Sequence, residues 1–349
     1  MNTLSFRDPI SKVYKDGNSI FRKLNNDDYN FFRKLEREDF FKKIIIDNKV
    51  QSFSLVDDES KIMTHEFIKN FTVSNEMSSY QLYLSGIHTL DLLIECLENG
   101  YCLKDASAWN VVFFEGKPLF LDVGSFEEWN GNRVWLAYGQ FVRHYITPLI
   151  INKETGIKTS FLFNNHIDGI DPLMAKKILG IKKFKSWMNF EFIYLPSLFE
   201  RKKLNNNFKE NKNSNDKDFN LSIILRIIKR LKKKLSFLEP KNDSFWSRYT
   251  GEREHYTDED IEIKKKILLE FIKDKRGNLL DIGCNTGEFL NLTLANKNIN
   301  SYGIDYDEEC INFTQKKFSK KKVNLSCINI TNPPNSIGWV NSETQSYID

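Results

Sequence analysis

The stretch that decides the fold of the carboxy-terminal part is Leu279-Leu280-Asp281-Ile282-Gly283-Cys284-Asn285-Thr286-Gly287-Glu288-Phe289. An apolar run enters a glycine turn and then resumes with helical spacing, a pattern that predicts a strand, a turn and a helix. A second apolar run, Ser301-Tyr302-Gly303-Ile304-Asp305, ends in a carboxylate. It follows the turn by about 20 residues, which is the spacing of an acid that binds ribose.

The turn is suited to hold a cofactor. Gly283 and Gly287 have no Cβ, so the backbone can bend sharply and lie against a ligand. Asp281 can orient a cationic group, and Asp305 can accept hydrogen bonds from both ribose hydroxyls. Turns that bind a pyrophosphate read GxGxxG, whereas an acid precedes this turn and would repel phosphate. The implied ligand carries a nucleoside and a positive centre, which favours S-adenosylmethionine (SAM) over NAD.

These residues resemble the first motif of class I SAM-dependent methyltransferases, and the likeness extends over roughly residues 245 to 340. The resemblance implies a partial Rossmann-like domain. Segment Val323–Ile330 looks like its third strand, after which Asn329 stands where such enzymes often place an acid that binds the adenine amine. The cofactor contacts that the resemblance implies are Asp281, Gly283, Cys284, Asn285, Gly287, Asp305 and Asn329.

Two flanking segments are similar to methyltransferases related to nodulation proteins. They are the proline-containing stretch from Asn332 to Trp339 and the aromatic residues Trp246, Tyr249 and Tyr256. The sheet of a class I enzyme has more strands than the residues after Leu279 can form. We therefore expect a C-terminally truncated domain that exposes part of its sheet, binds SAM weakly and does not transfer methyl groups.

The composition limits the remaining possibilities. A chain of 349 residues is long enough for two domains, and 40% hydrophobic residues can build ordinary cores. The net charge is only +4, so we expect no nucleic-acid partner. The five cysteines have neither metal-binding nor paired spacing, and no apolar run suggests a signal or a membrane span. We predict a cytoplasmic protein.

A second group of residues lies in the amino-terminal half. A helix predicted from Tyr80 to Leu97 precedes a loop with Asp105 and Asn110, and a hairpin around Glu115-Gly116-Lys117 then leads to Asp122-Val123-Gly124. This order resembles the catalytic half of protein-kinase-like phosphotransferases. The resemblance implies an α+β kinase-like domain in which Asp105 is the base, and Asn110 and Asp122 hold Mg²⁺ beside ATP.

Several features depart from the kinase pattern. Leu103-Lys104 stands where a histidine normally precedes the base, and the first eighty residues contain no GxGxxG loop. A hairpin predicted between Lys12 and Leu24 places Arg22 near the position of a phosphate-binding lysine. Two alternatives to a methyltransferase therefore remain open: a phosphotransferase acting on a sugar or another small hydroxyl compound, and a non-catalytic remnant.

The segment between the two predicted domains has two parts. Arg201–Asp218 is rich in Asn and Lys, which predicts a linker. An apolar stripe from Leu221 to Leu235, flanked by basic residues, predicts a basic amphipathic helix. This helix could contact an anionic membrane peripherally or pack on its own domain.

The predicted organisation is a kinase-like domain at 1–200, linker and helix at 201–244, and a partial methyltransferase domain at 245–349. The methyl acceptor is unknown, and a saccharide or another small molecule would suit it.

Overall fold

The computed structural model describes residues 2–3, 12–17, 19–56, 58–180, 186–200, 216–240 and 257–336. Helices and strands both contribute to it, which confirms a mixed α/β protein. Among these residues, no helix has the length and apolar character needed to cross a membrane. The predicted aromatic segment at Trp246, Tyr249 and Tyr256 lies outside the described residues, as do residues 337–349 and most of the predicted linker.

The chain begins with an antiparallel sheet whose strand order is β1-β2-β3-β5-β4. Strands β2 and β3 pair from Lys12 with Lys23 to Asp16 with Ser19, which confirms the predicted hairpin. The strands are β1 (Asn2–Thr3), β2 (Lys12–Asp16), β3 (Ser19–Lys23), β4 (Ser54–Leu55) and β5 (Ile62–Glu66), and helices α1 (Asn26–Leu35) and α2 (Asp39–Ile46) lie between β3 and β4.

Helix α3 (Ser79–Glu98) runs through the core of the amino-terminal part and confirms the helix predicted over residues 80–97. Ser78 and Gln81 form a capping box that satisfies the free N–H groups at its start. Two antiparallel pairs follow: β6 (Tyr101–Leu103) with β9 (Phe126–Glu128), and β7 (Val111–Phe114) with β8 (Lys117–Phe120). The second pair is the hairpin that the sequence predicts.

A helical region completes the amino-terminal part. Its helices are α4 (Tyr138–Phe141), α5 (Thr147–Thr155), α6 (Thr159–Asn165), α7 (Pro172–Leu179), α8 (Trp187–Asn189), α9 (Leu195–Glu200) and α10 (Lys217–Ser236). The π-helical segment Val142–Ile146 joins α4 to α5, and Phe190–Tyr194 joins α8 to α9.

Helix α10 is the predicted basic amphipathic helix, and it packs on α3. Its buried apolar residues are Ile224, Ile228, Leu231 and Leu235. Three of its lysines form ion pairs with acids of the same part of the chain: Lys229 with Glu98, Lys232 with Asp91 and Lys234 with Glu191. Because the apolar stripe is covered by the protein's own core, the helix follows the packing alternative and the stripe is not available to a membrane.

The carboxy-terminal part alternates helices and parallel strands. The elements are α11 (Asp258–Ile272), β10 (Gly277–Ile282), α12 (Glu288–Thr293), β11 (Ile299–Asp305), α13 (Glu308–Lys317) and β12 (Val323–Cys327), and the strand order is β10-β11-β12. The strand predicted from Val323 ends at Cys327, short of Ile330. Leu280 and Ile282 on β10 are 43% and 58% exposed, as expected for a sheet covered on only part of its surface.

The two parts meet along β12 and α13. Thr72 Oγ1 donates a hydrogen bond to the carbonyl of Leu325 at 2.9 Å, and Cys327 N donates to the carbonyl of Glu76 at 2.7 Å. Gln81 Nε2 also donates to Leu325 O, at 2.8 Å. The segment before α3 therefore covers the edge of β12 that β11 leaves free, and the parallel sheet is held against the amino-terminal part.

Candidate functional site

The glycine turn lies at the carboxyl ends of β10 and β11. Gly283, Asn285 and Gly287 all have positive φ, at +74°, +47° and +70°. Backbone N–H groups of Gly283 and Cys284 donate to the carbonyl of Ile304 at 2.9 and 3.0 Å, so the end of β11 fixes the start of the turn. The predicted strand, turn and helix are all present, with Gly287 as the N-cap of α12.

The carboxylates of Asp281 and Asp305 lie beside this turn, near enough for the charge of one to act on the other. Asp305 accepts hydrogen bonds from Asn285 N and from Asp307 N, both at 2.8 Å, so its two oxygens are held in place. Burial raises the pKa of Asp281, and the nearby charge of Asp305 raises it further. Two like charges in a half-buried site repel each other, so a cationic ligand between them would be favoured.

The glycines of this region are required for different structural reasons. An added Cβ at Gly287 would lie 2.8 Å from Thr314 Cγ2, and one at Gly303 would lie 2.7 Å from Leu290 Cδ2. A Cβ at Gly283 would meet no protein atom within 4 Å, and this residue is exposed. Packing therefore requires glycine at the first two positions. At Gly283 only the positive φ favours glycine, and the open space beside the residue leaves room for a ligand.

Two predicted cofactor contacts have restricted geometry. The side chain of Cys284 lies in the core cluster with Leu290 and Phe318, so that only its backbone can face a ligand in the turn. Asn329 follows Ile328, whose N–H donates to the carbonyl of Asp305 at 3.0 Å, so it lies next to the turn. Its Oδ1 accepts from Thr331 N at 3.1 Å and from Thr331 Oγ1 at 2.8 Å. An adenine amine would have to compete for that oxygen.

The predicted kinase-like residues are partly brought together. Asn110 Nδ2 donates to Ser125 Oγ at 3.2 Å, and Ser125 Oγ donates to Asp122 Oδ2 at 2.7 Å. The other oxygen of Asp122 accepts from Arg22 Nη2 at 3.0 Å, and the two side chains are 31% and 17% exposed. An added Cβ at Gly124 would lie 2.0 Å from Arg22 Nη1, so the glycine gives the guanidinium access to Asp122.

This arrangement does not fit Mg²⁺ as long as Arg22 holds Asp122, because cation and guanidinium would compete for one carboxylate. Within the described residues, no three His, Cys, Asp or Glu side chains gather as a metal site. Asp105 Oδ1 accepts a hydrogen bond from Ser107 N at 2.9 Å, a contact within the loop that contains Asp105. Roles for Asp105, Asn110 and Asp122 in phosphate transfer stay predictions.

Two buried acids at the interface could not be predicted from the sequence. Glu76 and Glu308 are 5% and 7% exposed, and burial raises the pKa of each, that of Glu76 to about 7. The carboxylate of Glu308 and the backbone carbonyl of Glu76 contact segments far apart in the chain, so local spacing carries no signal for these contacts. Arg22, which the sequence places near the position of a phosphate-binding lysine, forms an ion pair with Asp122 in the structure.

Comparisons with known proteins match the part of the chain that contains the glycine turn. A protein family described as "Methionine biosynthesis protein MetW" matches residues 263–321, a range that includes the turn and Asp305. "Nodulation protein NoeA" of Rhizobium meliloti (strain 1021) is 23% identical over 357 residues, covering 98% of this chain and 74% of that protein. These two matches support a methyltransferase-related protein.

A comparison with solved structures shows a weaker likeness. The chain titled "Structure of vaccinia related kinase 3" matches 67% of this chain, and the match covers 84% of that structure's chain, at 12% sequence identity and a TM-score of 0.32. A TM-score at that level does not establish a shared fold. The kinase-like domain stays a prediction.

Proposed function

We propose that this chain binds SAM on the turn from Gly283 to Gly287, as the SAM-binding part of a methyltransferase whose acceptor is a saccharide or another small molecule. The observation that carries the proposal is the pair of carboxylates, Asp281 and Asp305, beside a positive-φ glycine turn at the carboxyl ends of two parallel strands. The match of residues 263–321 to the MetW family supports it independently.

Each residue has a distinct part in this proposal. Asp305 accepts hydrogen bonds from the ribose hydroxyls, since a carboxylate has more acceptor positions than its two backbone bonds use. The carboxylate of Asp281 accepts no hydrogen bond from the described residues and attracts the positive end of the cofactor. The exposed face of Gly283 lets the ligand lie against the backbone. SAM supplies the activated methyl group, and the protein contributes position and orientation for an acceptor in line with it.

Titration calorimetry with SAM tests the ribose contact. Asp305→Asn should weaken SAM binding about tenfold or more, because a charge-assisted acceptor is replaced by a neutral amide. Asp274→Asn is the matched control, since Asp274 is exposed on a distant loop, and it should bind SAM as the wild type does. Thermal unfolding of both variants checks that each is folded. Equal SAM affinity of the wild type and Asp305→Asn would contradict the proposal.

Asp281 allows a second comparison that depends on charge. S-adenosylhomocysteine has the same nucleoside as SAM but no sulfonium charge. Asp281→Asn should therefore weaken binding of SAM more than that of S-adenosylhomocysteine. An equal loss for both ligands would remove the cationic contact from the proposal.

The cellular setting is proposed on chemical grounds. All five cysteines are buried, and no disulfide joins them in the described part of the chain. Thiols that form no disulfide fit a reducing cytoplasm, which is where we propose that the protein acts.

A further inference from the structure

A large cleft lies between the two parts of the chain, away from the glycine turn. Its volume is 1440 Å³. One wall comes from the end of β5 and the β7–β8 hairpin, and the other from the first residues of β10 and β11. Asn278 and Asn300 mark the amino ends of these strands, whereas Asp281 and Asp305 mark their carboxyl ends. The cleft and the turn therefore lie at opposite edges of the parallel sheet.

The floor of the cleft is fixed by contacts between its walls. Lys322 Nζ lies 2.6 Å from Glu115 Oε2, and Glu115 N donates to Asn324 Oδ1 at 2.8 Å. Asn70 Nδ2 donates to the hydroxyl of Tyr302 at 3.2 Å. These bonds join residues more than 200 positions apart in the chain, so the cleft has a defined shape.

The lining has an excess of positive charge. Five lysines line it against two glutamates. Lys322 is paired with Glu115, but the side chains of Lys69, Lys117 and Lys297 are exposed and make no ion pair or hydrogen bond with the residues that the structure describes. Unpaired cations on facing walls attract an anionic group that enters between them.

The neutral part of the lining favours hydroxyl groups. Seven asparagine side chains line the cleft. An amide both donates and accepts hydrogen bonds, as a hydroxyl does, so such a surface matches a ligand with many hydroxyls. Lys15 Nζ lies 3.6 Å from the ring centre of Phe67, which covers one face of an aromatic ring that a base could otherwise stack on. Phe114 and Tyr302 also line the cleft, so the preference for a ligand with many hydroxyls rests on the asparagine amides.

We infer that this cleft is a binding site for an acidic oligosaccharide, separate from the methyl-transfer site. The unpaired lysines bind its carboxylate or other anionic groups, and the asparagine amides bind its hydroxyls. The inference does not depend on SAM binding, because the two sites use different residues at opposite sheet edges.

Binding of a hexamer of galacturonic acid to the full chain, measured by calorimetry at low ionic strength, tests the inference. The triple variant Lys69→Gln, Lys117→Gln, Lys297→Gln should lose about tenfold in affinity, because three charge-assisted contacts of modest strength are removed together. The matched control is Lys23→Gln, Lys43→Gln, Lys177→Gln. It loses the same charge at exposed lysines outside the cleft and should bind like the wild type.

Two further ligands complete the experiment. Neutral maltohexaose should bind at least tenfold more weakly than the uronic acid hexamer, and a hexathymidylate should bind more weakly as well. The inference is overturned by absence of galacturonate binding, by an equal loss in the control variant, or by equal affinity for maltohexaose. Tighter binding of hexathymidylate would also overturn it, in favour of a nucleic-acid site. Thermal unfolding shows that both triple variants remain folded.

Discussion

Glu76 is a buried carboxyl group that forms no ion pair with the residues described by the structure. Its Oε2 accepts a hydrogen bond from Val73 N at 3.3 Å, and its backbone carbonyl holds Cys327 of β12. Burial raises its pKa from 4.5 to about 7, although the bond from Val73 acts in the opposite direction. The folded chain therefore keeps a proton on this side chain at pH values where an exposed glutamate has lost it.

This proton predicts a dependence of stability on pH. The contribution of Glu76 is fully present below pH 4.5 and is lost as the pH rises to about 7, since the unfolded chain releases the proton first. His65 and His144, whose pKa values burial lowers to about 4, contribute the opposite slope between that value and 6.5. Comparison with Glu76→Gln separates the carboxyl from the histidines.

Urea unfolding at pH 5 and pH 7.5 measures the effect. Between these values, the wild type should lose on the order of 2 to 3 kcal/mol of unfolding free energy relative to Glu76→Gln. The exposed Glu270→Gln serves as the control and should follow the wild type. An identical pH slope for the wild type and Glu76→Gln would show that the carboxyl is ionised in the folded chain.

Single residues differ in how far the sequence reveals them. The positions of Gly283 in the turn and of Asp281 and Asp305 near the strand ends could be predicted, because the turn and the following strand end are local features with a fixed spacing. The pairing of Arg22 with Asp122 joins residues 100 positions apart, and that of Glu308 with α3 joins residues 229 apart. Such contacts depend on tertiary packing, which periodicity and spacing do not encode.

At the scale of elements, the β7–β8 hairpin fastens the amino-terminal part to β12. Gly116 in its turn has φ of +78°, and Gln315 Nε2 donates to its carbonyl at 2.9 Å. An added Cβ would lie 2.6 Å from the carbonyl oxygen of Lys321 and 3.1 Å from that of Val323. Backbone atoms cannot move aside as a flexible side chain can, so only glycine fits there.

Gly116→Ala should therefore destabilise the protein more than backbone strain alone would. Gly100 is the matched control, because its φ is +83° and an added Cβ there would meet no atom within 4 Å. Gly100→Ala should cost about 1 kcal/mol, and Gly116→Ala at least about 2 kcal/mol more, in unfolding free energy from urea titration. Equal losses in the two variants would mean that the hairpin is not tightly packed against the strand.

Most elements near the candidate sites could be predicted because their patterns are local. Helical spacing predicted α3, and two apolar runs around Glu115-Gly116-Lys117 predicted the hairpin. The apolar stripe of α10 predicted the helix but left its partner open, since a membrane and a core attract the same stripe. The structure assigns that face to α3, a contact that only the folded chain reveals.

At the scale of the whole molecule, Glu308 joins three elements of the amino-terminal part to α13. Its Oε1 accepts from Ser79 N at 2.9 Å and from Thr159 N at 3.4 Å, and Oε2 accepts from Asn152 Nδ2 at 2.8 Å. The first two donors are free N–H groups at the starts of α3 and α6, where a carboxylate is favoured. Glu308 also begins the helix that follows Asp305, so the proposed cofactor site is anchored to the amino-terminal part.

This anchoring predicts that the two parts unfold together. Trp109 and Trp135 contribute to the tryptophan fluorescence from the amino-terminal core. In the wild type, this fluorescence should change at the same urea concentration at which the amides of β11 lose protection from hydrogen exchange. Glu308→Ala should cost roughly 2 to 4 kcal/mol, because several buried donors lose their acceptor at once. The exposed Glu259→Ala, on α11, should leave both signals unchanged. Loss of β11 protection well before the fluorescence change in the wild type would show that the parallel sheet is an independent unit and that Glu308 does not couple it to α3.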